Sequence, residues 1–179
     1  MSLKIVLFGL ICMVLTACST PISEYQHTAP ALIVENFFNG KLKAGGIVKD
    51  HKGKVIRTFV ADIDAHWQNG IGILDEHFVF DDGEKQQRTW KLIPQANTSS
   101  HTTSYTATAG DVANVAQVNV SGNAMFLKYV LTIPYKNATM DITVDDKMYL
   151  VNDNVIINES RLTKFGFPVG SITLTIQKH

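Results

Sequence analysis

The sequence has little of what most protein chemistry is built from. Its two cysteines, Cys12 and Cys18, both fall within the first eighteen of 179 residues. A disulfide framework or a cysteine-ligated metal in the body of the chain is thereby excluded. An excess of one charge is also lacking, since 16 basic side chains face 16 acidic ones. A general nucleic-acid binder carries a clear basic surplus, so nucleic acid is not an expected partner. Catalytic signatures are missing too: there is no Gly-x-Ser-x-Gly elbow, His-Glu-x-x-His pair, phosphate-binding loop or dinucleotide glycine fingerprint. The histidines are scattered, so the sequence points away from an enzyme, names no catalytic residue and calls for no cofactor. No long stretch has the 3.6-residue period needed for βαβ crossovers, and no internal repeat suggests a solenoid.

What is present begins with an address. Lys4 is the only charge before Cys18, and Ile5 to Leu15 is apolar apart from Gly9. A run of about 11 residues is too short to span a bilayer core, which needs about 20. The pattern predicts a signal peptide over residues 1–17. Leu15-Thr16-Ala17-Cys18 resembles the bacterial lipobox, in which the cysteine thiol receives a diacylglyceryl group and becomes the new N-terminus. Cys18 is therefore the expected lipid-attachment residue and the membrane the expected partner of that lipid. Ser19 in place of Asp favours the outer membrane, on its periplasmic side. Each buried CH₂ of such an anchor contributes about 0.8 kcal/mol. The alternative is an ordinary secretory signal with an incidental cysteine.

Residues 18–30 are polar and turn-rich and read as a tether, leaving 31–179 as the folded domain. Ala31 to Phe38, between Pro30 and Asn39-Gly40, suits a helix of about two turns. From Lys41 the period changes to two. Strand-like runs lie near 42–50, 54–67, 71–80, 84–93, 102–109, 112–120, 123–134, 138–150, 155–164 and 168–177, with turn chemistry between them. The expected fold is all-β: a single antiparallel up-and-down barrel of about ten strands, lipocalin- or calycin-like, with a short N-terminal helix. A flattened two-sheet sandwich is the alternative; closure is favoured because it removes exposed edges.

Turn lengths and side-chain faces must agree, which fixes several registers. Asn69-Gly70 as a two-residue turn places Ala65 opposite Leu74, Ile63 opposite Glu76, Ala61 opposite Phe78 and Phe59 opposite Phe80. A three-residue loop at Asp81-Asp82-Gly83 sets Leu74 against Trp90, Phe78 against Gln86 and Glu76 against Arg88. A three-residue loop at Asn152-Asp153-Asn154 pairs Lys147 with Glu159 and Asp145 with Arg161, whereas a two-residue loop would set Asp146 against Glu159.

These registers turn Glu76 and Arg88 inward together. The functional reading is a polar anchor in a ligand cavity, the guanidinium fork holding a headgroup or carboxylate. The alternative is a structural ion pair, buried or at the barrel mouth. Trp90, Asp146 and Lys164 share the inward face and complete the candidate binding residues, a polar patch suited to an amphipathic ligand. On the outer face Asp62 stands opposite His77 and Asp64 opposite Asp75. Facing carboxylates could share a hard cation. No close His-x-His or His-x-x-x-His pair accompanies them, however, and a solvated exterior is the plainer reading; no metal is expected. Gly122 reads as a turn or tight-packing position. Asn97-Thr98-Ser99 and Asn137-Ala138-Thr139 match glycosylation sequons but carry no weight here.

Several groups of residues resemble one family: Phe37-Phe38-Asn39-Gly40, Asp81-Asp82-Gly83-Glu84 with Arg88 and Trp90, Gly122-Asn123-Ala124, Asp145-Asp146-Lys147-Met148-Tyr149-Leu150, and Asn158 with Lys164-Phe165-Gly166. Together they are similar to the proteobacterial lipoproteins grouped as domain of unknown function 3833. The chain departs from that pattern at Ala44-Gly45, where Trp-Gly is expected, and at Lys147, where Trp is common. The resemblance implies an anchored single domain and transfers no catalytic residue. The expected function is that of an outer-membrane lipoprotein binding a hydrophobic or amphipathic small molecule in a barrel cavity. The alternative is a lipoprotein that binds other envelope proteins without a small ligand.

Overall fold

The computed structural model describes residues 19–96 and 101–178. The signal segment, Cys18 and the Asn97-Thr98-Ser99 motif lie outside them. Ten antiparallel strands close into one barrel: β1 (Gly40–Asp50), β2 (Val55–Gln68), β3 (Ile71–Phe80), β4 (Lys85–Pro94), β5 (Thr103–Thr108), β6 (Ala116–Ser121), β7 (Ala124–Tyr135), β8 (Ala138–Asn152), β9 (Val155–Lys164) and β10 (Phe167–Lys178). Each strand pairs with its sequence neighbours, and β1 pairs with β10 from Leu42 opposite Lys178 to Asp50 opposite Gly170. The up-and-down barrel read from the sequence is thus the fold, closed around the whole ring, although β4 pairs with β5 only from Lys91 to Pro94 and its first residues have no partner strand on that side.

The turns work as their residues require. Asn69 and Gly70 both take left-handed backbone, φ +52° and +75°, as a two-residue hairpin matching strand twist demands. The resulting register sets Ala65 opposite Leu74 and Phe59 opposite Phe80. Gly83 is left-handed at φ +84°, and Glu76 then falls opposite Arg88. Asp145 opposite Arg161 and Leu150 opposite Ile156 follow at β8–β9, where an irregularity between Leu150 and Asn152 supplies the extra residue.

Inward alternation builds the core. Leu42, Ala61, Ile63, Ala65, Leu74, Trp90, Leu92, Tyr105, Val118, Leu127, Val144, Ile156 and Ile176 are buried in one continuous cluster. One end of the barrel is stopped by the N-terminal segment. There the expected two-turn helix is a single turn, α1 (Val34–Phe37), because Ile33 remains extended and Leu32 donates its N–H to Gly122 O at 2.8 Å. Val34, Phe37 and Phe38 are buried against the barrel, Trp67 Nε1 donates to Phe38 O at 2.9 Å, and Tyr105 Oη donates to Glu35 Oε1 at 2.7 Å.

Residues 19–30 are not a free tether. They carry a 3-10 turn, Ile22–Tyr25, and pack on the outer wall, where Tyr25 meets Phe126 and Tyr149 at ring distances of 5.5 and 5.6 Å. Thr28 anchors the segment by accepting the Asn123 N–H at 2.9 Å.

Gly122 is where this segment and the barrel meet. Its φ is +52°, and a Cβ there would stand 1.8 Å from Tyr25 O and 2.4 Å from Thr28 Oγ1. Gly122→Ala is expected to lower stability by about 1–3 kcal/mol and to expose the segment around Tyr25 to protease. Equilibrium unfolding combined with limited proteolysis checks both effects.

Candidate functional site

The end opposite α1 carries the β1–β2, β3–β4, β7–β8 and β9–β10 turns and is the open mouth. Inside it lies a cavity of about 360 Å³. Its walls are apolar, with Phe59, Phe78, Phe80, Leu131, Ile133 and Leu162 prominent. Behind it is a smaller chamber of about 110 Å³, where Glu76, Asp146, Asn158 and Ser160 join Trp90 and Met148. Phe59, Phe78, Arg88, Tyr129 and Ile172 line both spaces and form the neck between them.

Arg88 sits in that neck, but its fork is not free. Nε and Nη2 donate to the Asp111 carboxylate at 3.0 and 2.7 Å, while Nη1 stands 3.9 Å from Glu76 Oε2, beyond hydrogen bonding. Burial pulls hardest on the guanidinium pKa and would lower it, but the Asp111 bonds together with the nearby Tyr129, Glu76 and Asp111 outweigh it and hold Arg88 firmly charged. The guanidinium therefore cannot serve as the bidentate headgroup anchor read from the sequence, because Asp111 already fills that role.

Asp111 reaches Arg88 because the link 109–115 does not simply cross from β5 to β6. It folds back along β7, with Ala113 N donating to Val130 O at 2.9 Å and Thr132 N donating to Asp111 O at 2.8 Å. The strand-like run expected over 112–120 begins only at Ala116, so Asp111 sits in an irregular link rather than beside a strand start and its partner was not placed from sequence. Asn158 and Ser160 could have been, since they share the inward parity of Ile156 and Leu162 on β9.

Glu76 is left with a weakly compensated carboxyl. Burial raises its pKa from 4.5 to about 7, and Arg88 offsets only part of that cost. Asp146 is also pushed up by burial. Asn158 Nδ2 and Ser160 Oγ oppose the shift by donating to Asp146 Oδ1 at 2.5 and 2.7 Å. Burial likewise raises the Tyr129 phenol well above its usual range. The Tyr129 ring meets Trp90 edge-on at 5.2 Å. The carboxyl groups of Glu76, Asp146 and Asp111 thus gather around the Arg88 guanidinium, while Arg57 and Glu84 line the outer space.

Glu76, Arg88, Trp90 and Asp146 are brought together as expected; Lys164 is not. It keeps the inward parity of β9 but lies at the rim. Its Nζ donates to Asp141 O at 2.7 Å and stands over the Phe165 ring. Parity fixes a side chain's face, whereas its height in the barrel depends on where the strand ends. Arg57, not singled out in the sequence, guards the mouth. It bonds Asp82 and Glu84 at 2.8 and 2.5 Å and lies over Phe80, 3.6 Å from the ring centre.

The outer carboxylates also read differently in three dimensions. Asp62 faces His77 and Asp64 faces Asp75 as expected. On their other side, however, Asp62 meets Lys43 at 3.5 Å and Asp64 pairs with Lys41, while Asp75 accepts from Thr89 Oγ1 at 2.6 Å. The β1 lysines supply the positive charge that a cation would have brought. Among the described residues no group of three potential ligands gathers.

The model of a family described as "Protein of unknown function (DUF3833)" matches residues 12–178, and the chain belongs to that family. No curated protein matches it. Among solved structures, an S-type phycobiliprotein lyase from Guillardia theta is similar at 10% identity and a TM-score of 0.58, covering 88% of this chain and 97% of the other. That likeness is one of fold. A redesigned β-barrel aligns at 10% identity over 80% of this chain and 92% of its own, with a TM-score of 0.42.

The Glu76 site makes a signed prediction. Between pH 4.5 and about 7 the folded protein holds a proton that the unfolded chain has released, so stability falls as pH rises through that window and levels off above it. Relative to Glu76→Gln, the wild type is expected to lose on the order of 3 kcal/mol across it. Denaturant unfolding of both proteins along a pH series reads the difference directly.

Proposed function

Starting from membership of this family and from the mouth cavity, we propose that the barrel binds a small amphipathic molecule. The observation that carries the reading is the cavity of about 360 Å³, apolar at its walls and backed by buried carboxyl groups. Its volume lies within the range of small-molecule sites, and a largely apolar cavity with a few convergent polar groups is their usual composition. The ligand enters polar end first, leaving its apolar body against Phe59, Phe78, Leu131 and Ile133.

The charge balance of the interior defines that polar end. Arg88 is committed to Asp111, whereas Glu76 and Asp146 have carboxyls raised by burial. A neutral or cationic hydrogen-bond donor relieves that arrangement, and a carboxylate head would add repulsion in a poorly solvated place. The favoured ligand therefore carries a hydroxyl, amide or ammonium group rather than an acid.

The protein is further proposed to be an outer-membrane lipoprotein attached through Cys18 and facing the periplasm. The sequence before Cys18 supports this, as does the lack of cysteine in the rest of the chain. No small-molecule reaction is assigned.

Native mass spectrometry of the protein purified from its own membrane, before and after refolding, is expected to show an added mass that refolding removes. Leu131→Trp, which fills the mouth, should abolish it while preserving a cooperative thermal transition. Against twelve-carbon probes at neutral pH, the amine and the alcohol should bind at least about tenfold more tightly than the carboxylate, a difference of about 1.4 kcal/mol. A protein bare in both samples, or a preference for the acid, overturns the reading. Separately, metabolic labelling with palmitate is expected to mark the wild type, and Cys18→Ser should lose both the label and membrane retention.

A further inference from the structure

The rim of the mouth is not uniform. Its β3–β4 side is acidic, with Asp81, Asp82 and Glu84. The opposite half runs from the β7–β8 turn through the β9–β10 turn to the β1–β2 turn and exposes large apolar side chains. Phe165 is 87% exposed and Phe167 74%, joined by Val169, Tyr135, Val55 and Ile56. Lysines are interleaved: Lys52 and Lys54 in the β1–β2 turn, Lys136 over the Tyr135 ring, and Lys164 over the Phe165 ring. The acidic groups of this half are engaged within the fold. Asp50 accepts the N–H groups of Lys52 and Lys54 at 2.8 and 3.0 Å, and Asp141 accepts from Thr132 Oγ1 at 2.8 Å.

Two hairpin tips in this half carry the wrong residues for their backbone. Phe165 precedes Gly166 with φ +50°, and Lys136 precedes Asn137 with φ +53°. Left-handed turn positions favour Asn, Asp or Gly, and a bulky side chain there is strained. Phe165 gains no burial in return. A strained residue that points into solvent signals a demand other than folding.

From this half-rim we infer a membrane-docking surface that seats the barrel, mouth inward, on a bilayer containing anionic lipid. Aromatic rings interleaved with lysines are what the interfacial layer accepts: the rings enter the headgroup boundary while the ammonium groups meet lipid phosphates. The wall cannot play this part, because it carries ion pairs such as Lys41–Asp64 and Lys43–Asp62.

The N-terminal segment lies along the wall, away from this half-rim. Ser19 lies beside Lys147 at 3.2 Å, in a groove that also holds Arg161, Lys49 and Ser171, and from there the segment descends to Asn123 at the stopped end. Docking does not depend on whether the cavity is occupied.

Vesicle flotation tests the inference. Residues 19–179 hold every described element and the whole described core, so this fragment keeps the barrel without the lipid. It is expected to float with phosphatidylethanolamine vesicles containing one-quarter phosphatidylglycerol and to lose binding as salt rises. Phe165→Asp combined with Phe167→Asp should weaken binding by at least about tenfold. Val151→Asp, at an exposed apolar site on the stopped end, should not change it. Phe165→Asn should raise the thermal midpoint while weakening vesicle binding. The inference is overturned by absence of flotation, by flotation that the double variant retains, or by a dimer that the double variant dissolves. Leu131→Trp separates the two readings, since it should lose the small ligand and still float.

Discussion

The pairing of β1 with β10 is the constraint on which the rest of the molecule depends. Once those strands join, every residue of the ring is either inside or outside, and the choice alternates without exception until a bulge or a strand end interrupts it. Residues 42–49 of β1 meet β2 on one side and β10 on the other; Lys41 and Lys43 fall beside the carboxylates of β2, and Leu42 and Ala44 fall in the core. Closure also denies buried polar groups an escape to a sheet edge. Glu76, Arg88 and Asp146 face inward because their neighbours in sequence face outward, and their charges must be answered inside.

The answer is unequal. Arg88 is matched by Asp111 from a link that folds back along β7, and Asp146 is matched by Asn158 and Ser160 across one strand pair. Glu76 receives a distant guanidinium and the Trp90 indole, which together offset only part of its burial. Buried pairs of this kind seldom add net stability, yet removing one partner costs several kcal/mol. The network therefore holds the 109–115 link in place more than it strengthens the barrel. It also keeps the neck between the chambers polar, although both are surrounded by aromatic and aliphatic walls.

Much of this was legible in the sequence because turn chemistry and face alternation are local and mutually checking. Asn69-Gly70 admitted one register, and Asp81-Asp82-Gly83 admitted another only if Glu76 met Arg88. The number of strands and three hairpin registers followed. What escaped was whatever depends on height or on irregular backbone. Lys164 has the right parity but lies at the rim, where β9 ends. Asp111 belongs to an irregular link whose second half reads as the start of a strand over 112–120, whereas β6 begins at Ala116. The helix over 31–38 shortened to one turn because Leu32 and Ile33 are drawn into an extended path beside Gly122, a tertiary demand that local propensity does not contain. The outer carboxylates were placed correctly in pairs, yet their neutralising partners came from β1, whose pairing with β2 had not been worked out from its turn.

The segment that stops one end of the barrel also makes traffic through it reversible by geometry. With Val34, Phe37 and Phe38 seated there, the interior is a blind vessel and not a conduit. A guest must leave by the opening through which it arrived, with its orientation reversed relative to its direction of travel. For the ligand proposed above, loading and unloading would use the same opening, and their balance would follow the affinities of whatever gives the ligand up and takes it on.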